Sequence, residues 1–226
     1  MSLSVVDLAP AIASEIRATK AELLNGVHAD TIRDLLERRG VLVFPQVGFS
    51  DAEQIEFTQT LGTFAPERMV CADGSGDTEF ANTYAAYDAL DDVDKHAFDT
   101  LRVMHSAWNT LFYYEPEPSY TTLRAMMAIG DRELPLVWNH RSGRKSLVLG
   151  CTARHVVDMD FRTSVELLVR LRDWATRPEF VYRHHWTVGD LVIWDNTGTM
   201  HRATPYDPQS GRLLHRTKLE GEEPFA

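Results

Sequence analysis

Phe180 to Trp186 alternates along its length, Thr187-Val-Gly-Asp190 then turns the chain, and Leu191 to Trp194 follows as a short apolar run. A period of two reads as a strand with one buried face, and the unbroken run reads as a more deeply buried strand. This strand–turn–strand unit is the most regular part of the chain, and it commits the C-terminal third to β-structure.

The rest of the chain mixes helices and strands. Asp30 is positioned to cap a helix from Thr31 to Arg39 that Gly40 closes. Gly40 to Pro45 reads as a short buried strand, and Ser50-Asp-Ala-Glu53 is a capping box opening a helix that stops at Gly62. A Gly-rich turn, Asp73 to Asp77, leads into Thr78-Glu-Phe80. Helices are predicted over Tyr84–Leu90 and Asp91–Met104, a loop over Tyr113–Ser119, and strands over Leu134–Asn139 and Ser146–Cys151 around an Arg141–Arg144 turn. Ser164 is expected to cap an amphipathic helix carrying Val165, Leu168, Val169, Leu171 and Trp174, and Arg212 to Leu219 to form a last strand after the Pro208–Gly211 turn. With no regular βαβ rhythm, the expected architecture is mainly β with helical additions, a sandwich in one domain spanning 1–226.

Composition narrows the partners. The 226 residues carry 44% apolar content and a formal net charge of -10. That balance argues against nucleic acid or an anionic membrane surface as the main partner, since both favour a basic face. A small anion is still allowed, because a local arginine cluster overrides the global field. Cys71 and Cys151 lie far apart and read as two buried free thiols in a reducing compartment. The N-terminus lacks a signal-peptide pattern and no apolar stretch approaches the ~20 residues a membrane span needs, so the expected location is cytoplasmic.

The chemistry concentrates in Trp194-Asp-Asn-Thr-Gly-Thr-Met-His201 and Arg212-Leu-Leu-His-Arg216. A neutral imidazole at a strand end suits a transition metal. Two arginines at i and i+4 of a strand share a face, so one guanidinium can grip a carboxylate at two points while the other holds an anionic substrate. On the residues alone a plainer reading stays open, with His201 a satisfied histidine and both arginines solvated.

These stretches resemble the C-terminal signature of the taurine dioxygenase/dichlorophenoxyacetate dioxygenase family: Trp-Asp-Asn, a gap, His, then Arg-x-x-x-Arg. Gly40 to Pro45, Leu61-Gly62, Gly76 to Phe80, Phe180 to Arg183 and Val188 to Leu191 also match. The resemblance implies a double-stranded β-helix, or jelly roll, using Fe(II) and 2-oxoglutarate as cosubstrate, with dioxygen and a small anionic organic substrate. It implies that His201 is the distal iron ligand, that Arg212 anchors the C5 carboxylate of 2-oxoglutarate, that Thr78 hydrogen-bonds the cosubstrate carboxylate, and that Arg216 contacts the substrate anion. It also implies pairing of copies through helical surfaces.

One part of the family pattern is missing. The iron of such enzymes is also held by a His-x-Asp/Glu pair between the landmarks matched here by Leu61-Gly62 and Gly76-Asp-Thr78. The intervening residues contain no histidine, and relatives carry a few dozen more residues there. The apparent gap or deletion falls near 67–71, with its junction at Glu67-Arg68. His28-Ala-Asp30 is a His-x-Asp by pattern, but it precedes the first matched strand. His105, His184 and His185 are further substitutes to consider; only one of the adjacent pair can face inward from a strand.

Either the protein has the segment and these residues omit it, or the deletion is genuine. Loss of inner strands would expose edges and apolar faces, which favours the first reading. The expected activity is hydroxylation of a sulfonate, sulfate ester, aryloxy acid or other carboxylate by an iron(II)- and 2-oxoglutarate-dependent dioxygenase. The alternative is a non-catalytic jelly-roll relative that lost the metal pair and binds an organic acid or a protein partner. A cupin-like fold explains His201 but leaves the arginine spacing unused. Trp108, Phe112, Tyr113 and Tyr114 form an aromatic run that could wall a substrate pocket, with core packing the competing role.

Overall fold

A computed structural model describes residues 3–65, 76–205 and 213–224. The chain divides into two compact units, one of residues 1–82 with 178–222 and one of residues 83–177 with 223–226. The first begins with β1 (Ser4–Asp7), β2 (Ser14–Arg17), α1 (Lys20–Leu24), α2 (Ala29–Arg39), β3 (Val41–Phe44), α3 (Asp51–Leu61), β4 (Phe64–Ala65) and β5 (Thr78–Asn82). The second holds α4 (Thr83–Asp88), α5 (Asp92–Phe98), β6 (Arg102–Ser106), α6 (Leu111–Tyr114), α7 (Tyr120–Met127), β7 (Asp131–Pro135), β8 (Val137–Asn139), β9 (Lys145–Leu147), β10 (Ala153–Val156) and α8 (Phe161–Ala175). The chain then re-enters the first unit as β11 (Val181–His184), β12 (Leu191–Trp194), β13 (Thr199–Ala203) and β14 (Lys218–Leu219).

Strand β3 explains the unbroken run Val-Leu-Val-Phe. Leu42 and Phe44 join a cluster with Ile16, Ile32, Leu35, Phe57 and Leu61, while Val41 and Val43 join another with Ile12, Phe80 and Val192. The strand is apolar on both faces because both faces are covered. It sits in a sheet of order β1-β2-β3-β12, parallel to β2 and antiparallel to β12. A second sheet, β11-β5-β13, is antiparallel throughout and contributes Phe80 to the cluster shared with Val41 and Val43. The regular unit at Phe180–Trp194 therefore joins two sheets: β11 pairs with β5, and β12 with β3.

Gly40 ends α2 and starts β3 at φ 70, a conformation in which a Cβ is strained. A Cβ there would also lie 2.8 Å from Thr199 Cγ2, so the helix stop and the close approach of β13 both require glycine.

In the second unit β10-β6-β7 form an antiparallel sheet and β8-β9 a hairpin whose turn runs from His140 to Arg144. Val103, Leu136, Val156, Leu171 and Ala175 are fully or almost fully buried. The Trp174 indole donates to the Ala86 carbonyl at 2.8 Å, tying α8 to α4.

Several expected boundaries move. Helix α2 starts at Ala29 and not at Thr31, because the Gly26 turn (φ 70) already brings Ala29 N–H to the Gly26 carbonyl. His28 takes the N-cap place without a side-chain bond, and Asp30 lies in the first turn, where its charge still complements the helix dipole. Helix α8 is capped by Asp160, whose carboxylate accepts from Thr163 N–H at 3.1 Å. Ser164 is instead buried, and its hydroxyl accepts from Val156 N–H at 2.6 Å. The helix expected over Asp91–Met104 stops at Phe98, since Val103 is drawn into the sheet between β10 and β7. The loop expected from Tyr113 begins after α6, and the strand expected over Ser146–Cys151 ends at Leu147. Of the strand expected over Arg212–Leu219, the ladder holds only Lys218–Leu219 among the described residues. Cys151 is exposed, not buried; Cys71 and the junction near Glu67-Arg68 lie outside the described residues.

Two expectations follow. Phe57 is 2% exposed and packs edge-on against Phe44 at 6.1 Å. Phe57→Ala should lower stability by about 3–5 kcal/mol in denaturant titration. In the Ser50 capping box, the Glu53 carboxyl is held down at about 2 against an ordinary 4.5, first by the Ser50 backbone N–H, then by the Lys20 ammonium and the Ser50 hydroxyl. A carboxyl depressed in the folded state stabilises above its unfolded pKa and loses that contribution as pH falls toward the folded one. Melting curves of Glu53→Gln should therefore show a flatter loss of stability than the parent between pH 4.5 and about 2.

Candidate functional site

Strand β5 organises the site. His201 of β13 lies opposite Phe80, Ala203 lies opposite Thr78, and on the other side Tyr182 and His184 of β11 lie opposite Phe80 and Thr78. Cross-strand partners share a face, so Thr78, Phe80, Tyr182, His184 and His201 point to one side. Glu79, Arg183 and Arg202 point to the other, where Glu79 accepts from Arg183 Nη2 at 2.5 Å and Arg202 Nε at 2.6 Å. Burial opposes ionisation of Glu79, but these two guanidiniums prevail and hold its carboxyl below the ordinary range. Thr78 and His201 are diagonal neighbours on adjacent strands, about 7–8 Å apart.

The Thr78 hydroxyl accepts from the Trp186 indole at 3.0 Å. An oxygen already fixed by a donor has its own hydrogen free to give to an anion. His201 is exposed as a residue, yet its ring lies against Trp194 at 5.1 Å and Phe80 at 6.2 Å. Those neighbours decide its chemistry: desolvation first, and the positive charge of Arg216 second, push the imidazole below its ordinary pKa. A neutral imidazole is the form that ligates a metal.

Arg216 reaches this region from an extended segment leading into β14. His215 Nδ1 lies 2.5 Å from Asp51, its carbonyl accepts from Gln54 at 3.1 Å, and the Thr217 hydroxyl meets Thr58 at 2.8 Å. These contacts anchor the residues on either side of Arg216 to α3. Arg216 itself is exposed, and Arg212 lies outside the described residues.

Of the substitutes considered for the missing metal pair, His184 shares the face of Thr78 and His201, and each of the others has a different place. His28 and Asp30 open α2. His105 is buried, with Nδ1 2.8 Å from the Thr152 hydroxyl, and burial lowers its pKa. His184 is buried, with Nε2 3.2 Å from Asp190 and Nδ1 3.2 Å from the Tyr182 hydroxyl. His185 points outward and pairs with Asp77 at 2.8 Å. Among the described residues no group of three or more His, Cys, Asp or Glu side chains converges as a metal site. The described residues therefore do not fit a complete iron centre, and no second or third candidate ligand converges on His201 among them.

Trp186 was not singled out from sequence, although its place two residues after His184 in an alternating strand puts it on the inner face. Of the aromatic run, Phe112, Tyr113 and Tyr114 are exposed, and Trp108 and Tyr113 line a cleft in the second unit. Among the described residues no helix is long and apolar enough to cross a membrane.

The profile of the taurine catabolism dioxygenase TauD, TfdA family matches residues 70–218. The alpha-ketoglutarate-dependent 2,4-dichlorophenoxyacetate dioxygenase of Cupriavidus pinatubonensis is 41% identical over 150 residues, covering 66% of this chain and 51% of that protein. An (S)-phenoxypropionate/alpha-ketoglutarate-dioxygenase of Sphingobium herbicidovorans is 35% identical over 156 residues, covering 65% and 53%. The chain thus spans about half the length of the curated relatives it matches. A solved structure of AAD-2 in complex with Mn(II) and N-oxalylglycine superposes with a TM-score of 0.86 at 28% identity, covering 100% of both chains. The fold is that of the jelly-roll dioxygenases, and the chain belongs to the TauD, TfdA family.

Proposed function

We propose that this chain carries the cosubstrate-binding half of an iron(II)- and 2-oxoglutarate-dependent dioxygenase that hydroxylates a small organic acid. Residues 1–226 form one dioxygenase-like domain in this reading. The observation that carries it is the common face of β5 and β13, which holds Thr78 and His201 on adjacent strands, with His201 within reach of the charge of Arg216. The Thr78 hydroxyl, fixed by Trp186, donates to a cosubstrate carboxylate; Arg212 takes the C5 carboxylate as a two-point pair; Arg216 holds the substrate anion. His201 supplies one iron ligand. Metal and cosubstrate provide the oxidising power, while the chain orients the ligands and excludes water with Phe80 and Trp194.

The names of the relatives support a substrate with an aryloxy carboxylate, and an alkylsulfatase of Acinetobacter baylyi at 33% identity keeps sulfate esters in the same class. A carboxylate and a sulfate ester share what Arg216 reads, a compact anion on an apolar body.

Cosubstrate binding is measurable without iron. In calorimetry on the metal-free chain, Thr78→Val should weaken 2-oxoglutarate by about fivefold to tenfold, and Arg212→Gln by about 100-fold, as charge-assisted hydrogen bonds are lost. Trp186→Phe should weaken it less than Thr78→Val does. Unchanged affinity in Arg212→Gln removes the assigned anchor. Turnover is a separate measurement: after anaerobic reconstitution with Fe(II), 2-oxoglutarate should be consumed when a sulfate ester or aryloxy acid is present. A 25.6 kDa chain that retains no iron and consumes no 2-oxoglutarate at saturating metal and ascorbate is instead the non-catalytic relative.

A further inference from the structure

The second unit contains an open cleft of about 640 Å³ whose chemistry the dioxygenase reading does not use. Its size is within the range of about 300–1,000 Å³ typical of sites for small organic molecules. Leu149, Val165, Leu168 and Val169 supply aliphatic wall, and Trp108 and Phe161 supply aromatic wall. Val165, Val169 and Phe161 are 38%, 39% and 69% exposed, so helix α8 presents an apolar stripe to solvent along this cleft.

The charged lining has one sign. Arg154 and Arg172 line the cleft beside the neutral polar groups of Asn109 and Tyr113, and among the described residues no carboxylate does, in a chain whose net charge is -10. Arg154 sits at a register shift between Ala153 and His155 in β10, a bulge of the kind that re-aims a side chain. Its guanidinium lies 5.2 Å over the Trp108 ring, and its Nε is buried with no hydrogen-bond partner among the described residues. Its ion pair to Asp131 is long at 3.5 Å. Arg172 donates to the Tyr113 hydroxyl at 3.3 Å and stands 3.7 Å from Asp173. Both cations therefore keep N–H donors for another acceptor.

We propose that this cleft binds a small organic anion, its aryl or alicyclic body against Leu149, Val165, Leu168 and Trp108 and its carboxylate or sulfonate on Arg154 and Arg172. Apolar walls without the arginines would fit a neutral hydrophobe, and arginines without the walls would fit inorganic anions. The combination selects an amphipathic monoanion. The assignment does not rest on the dioxygenase reading, since Thr78, His201, Arg212 and Arg216 take no part in it.

The probe is 2-naphthoate, titrated calorimetrically into the full chain with neither iron nor 2-oxoglutarate present. Saturable one-site binding is expected, with neutral 2-naphthalenemethanol and inorganic sulfate each about tenfold or more weaker. Arg154→Gln and Arg172→Gln should each weaken 2-naphthoate by about tenfold. Val165→Trp should abolish binding by filling the cleft while both guanidiniums remain, and circular dichroism identifies the folded variants. Undiminished affinity in the folded Arg172→Gln or Val165→Trp chain would overturn the site. So would absence of binding at millimolar 2-naphthoate, or a loss confined to Arg216→Gln.

Discussion

The register of β5 between β11 and β13 is the constraint from which the candidate site follows. Thr78 to Asn82 are paired with β13 and Thr78 to Ala81 also with β11, and Phe80 at the centre is 1% exposed. A slip by one residue would turn Phe80 out to solvent and Glu79 into the apolar cluster, exchanging about 1.5–3 kcal/mol of burial for the larger cost of an enclosed carboxylate. The outer face enforces the same register, because Glu79 meets Arg183 and Arg202 only when those residues lie opposite it. Packing on one face and charge on the other thus hold Thr78 and His201 on adjacent strands of a common face.

That arrangement extends to the strand ends. Asn82 closes β5 by donating from its amide to the Ala11 carbonyl at 2.7 Å. Opposite it, Thr199 begins β13 against Gly40, and Asp195 N–H donates to the Gly40 carbonyl at 2.9 Å. At the other end, Gly76 leaves room for Thr204 and Pro205, where a Cβ would lie 2.6 Å from the Thr204 hydroxyl. Glycines 40 and 76 are thus close-approach positions as well as turn residues, and they flank the sheet that presents the site.

Much of this was legible wherever a local rule and a tertiary demand coincided. The Ser50–Glu53 capping box forms as read, since both of its bonds are within four residues. The strand run at Val41–Phe44 forms because its apolar content matches burial on both faces. The region Arg102–Ser106 misled because it has helix-compatible residues, whereas its conformation is set by partners dozens of residues away, at Asp131–Pro135 and Ala153–Val156. Ser164 misled for a related reason: a serine near a helix start reads as a cap, and here its hydroxyl serves a neighbouring strand. The roles assigned to His201 and Thr78 come from a family signature, and local sequence alone leaves a plainer reading of His201 open. Their common face depends on β13 pairing with β5 across more than a hundred residues, which no local pattern encodes.

Anion recognition by so acidic a chain has a physical resolution in distance. At 0.1 M salt the screening length is about 10 Å, so the summed charge of -10 is felt weakly beyond it, while a contact between guanidinium and carboxylate is felt almost in full. Most arginines of the first unit are already committed at close range, as Arg39 is to the Ala9 carbonyl at 2.6 Å and Arg183 is to Glu79. Committed cations add little for a ligand, because binding one would first break a pair. What an anion meets is set by the guanidiniums held short of full pairing, such as Arg154 with its long 3.5 Å ion pair to Asp131. At the cleft of Arg154 and Arg172 the acidic remainder then acts through specificity: it disfavours polyanions whose further charges extend past the local cations into the screened but still repulsive field. A cleft built this way favours ligands with one compact anionic group on an apolar body.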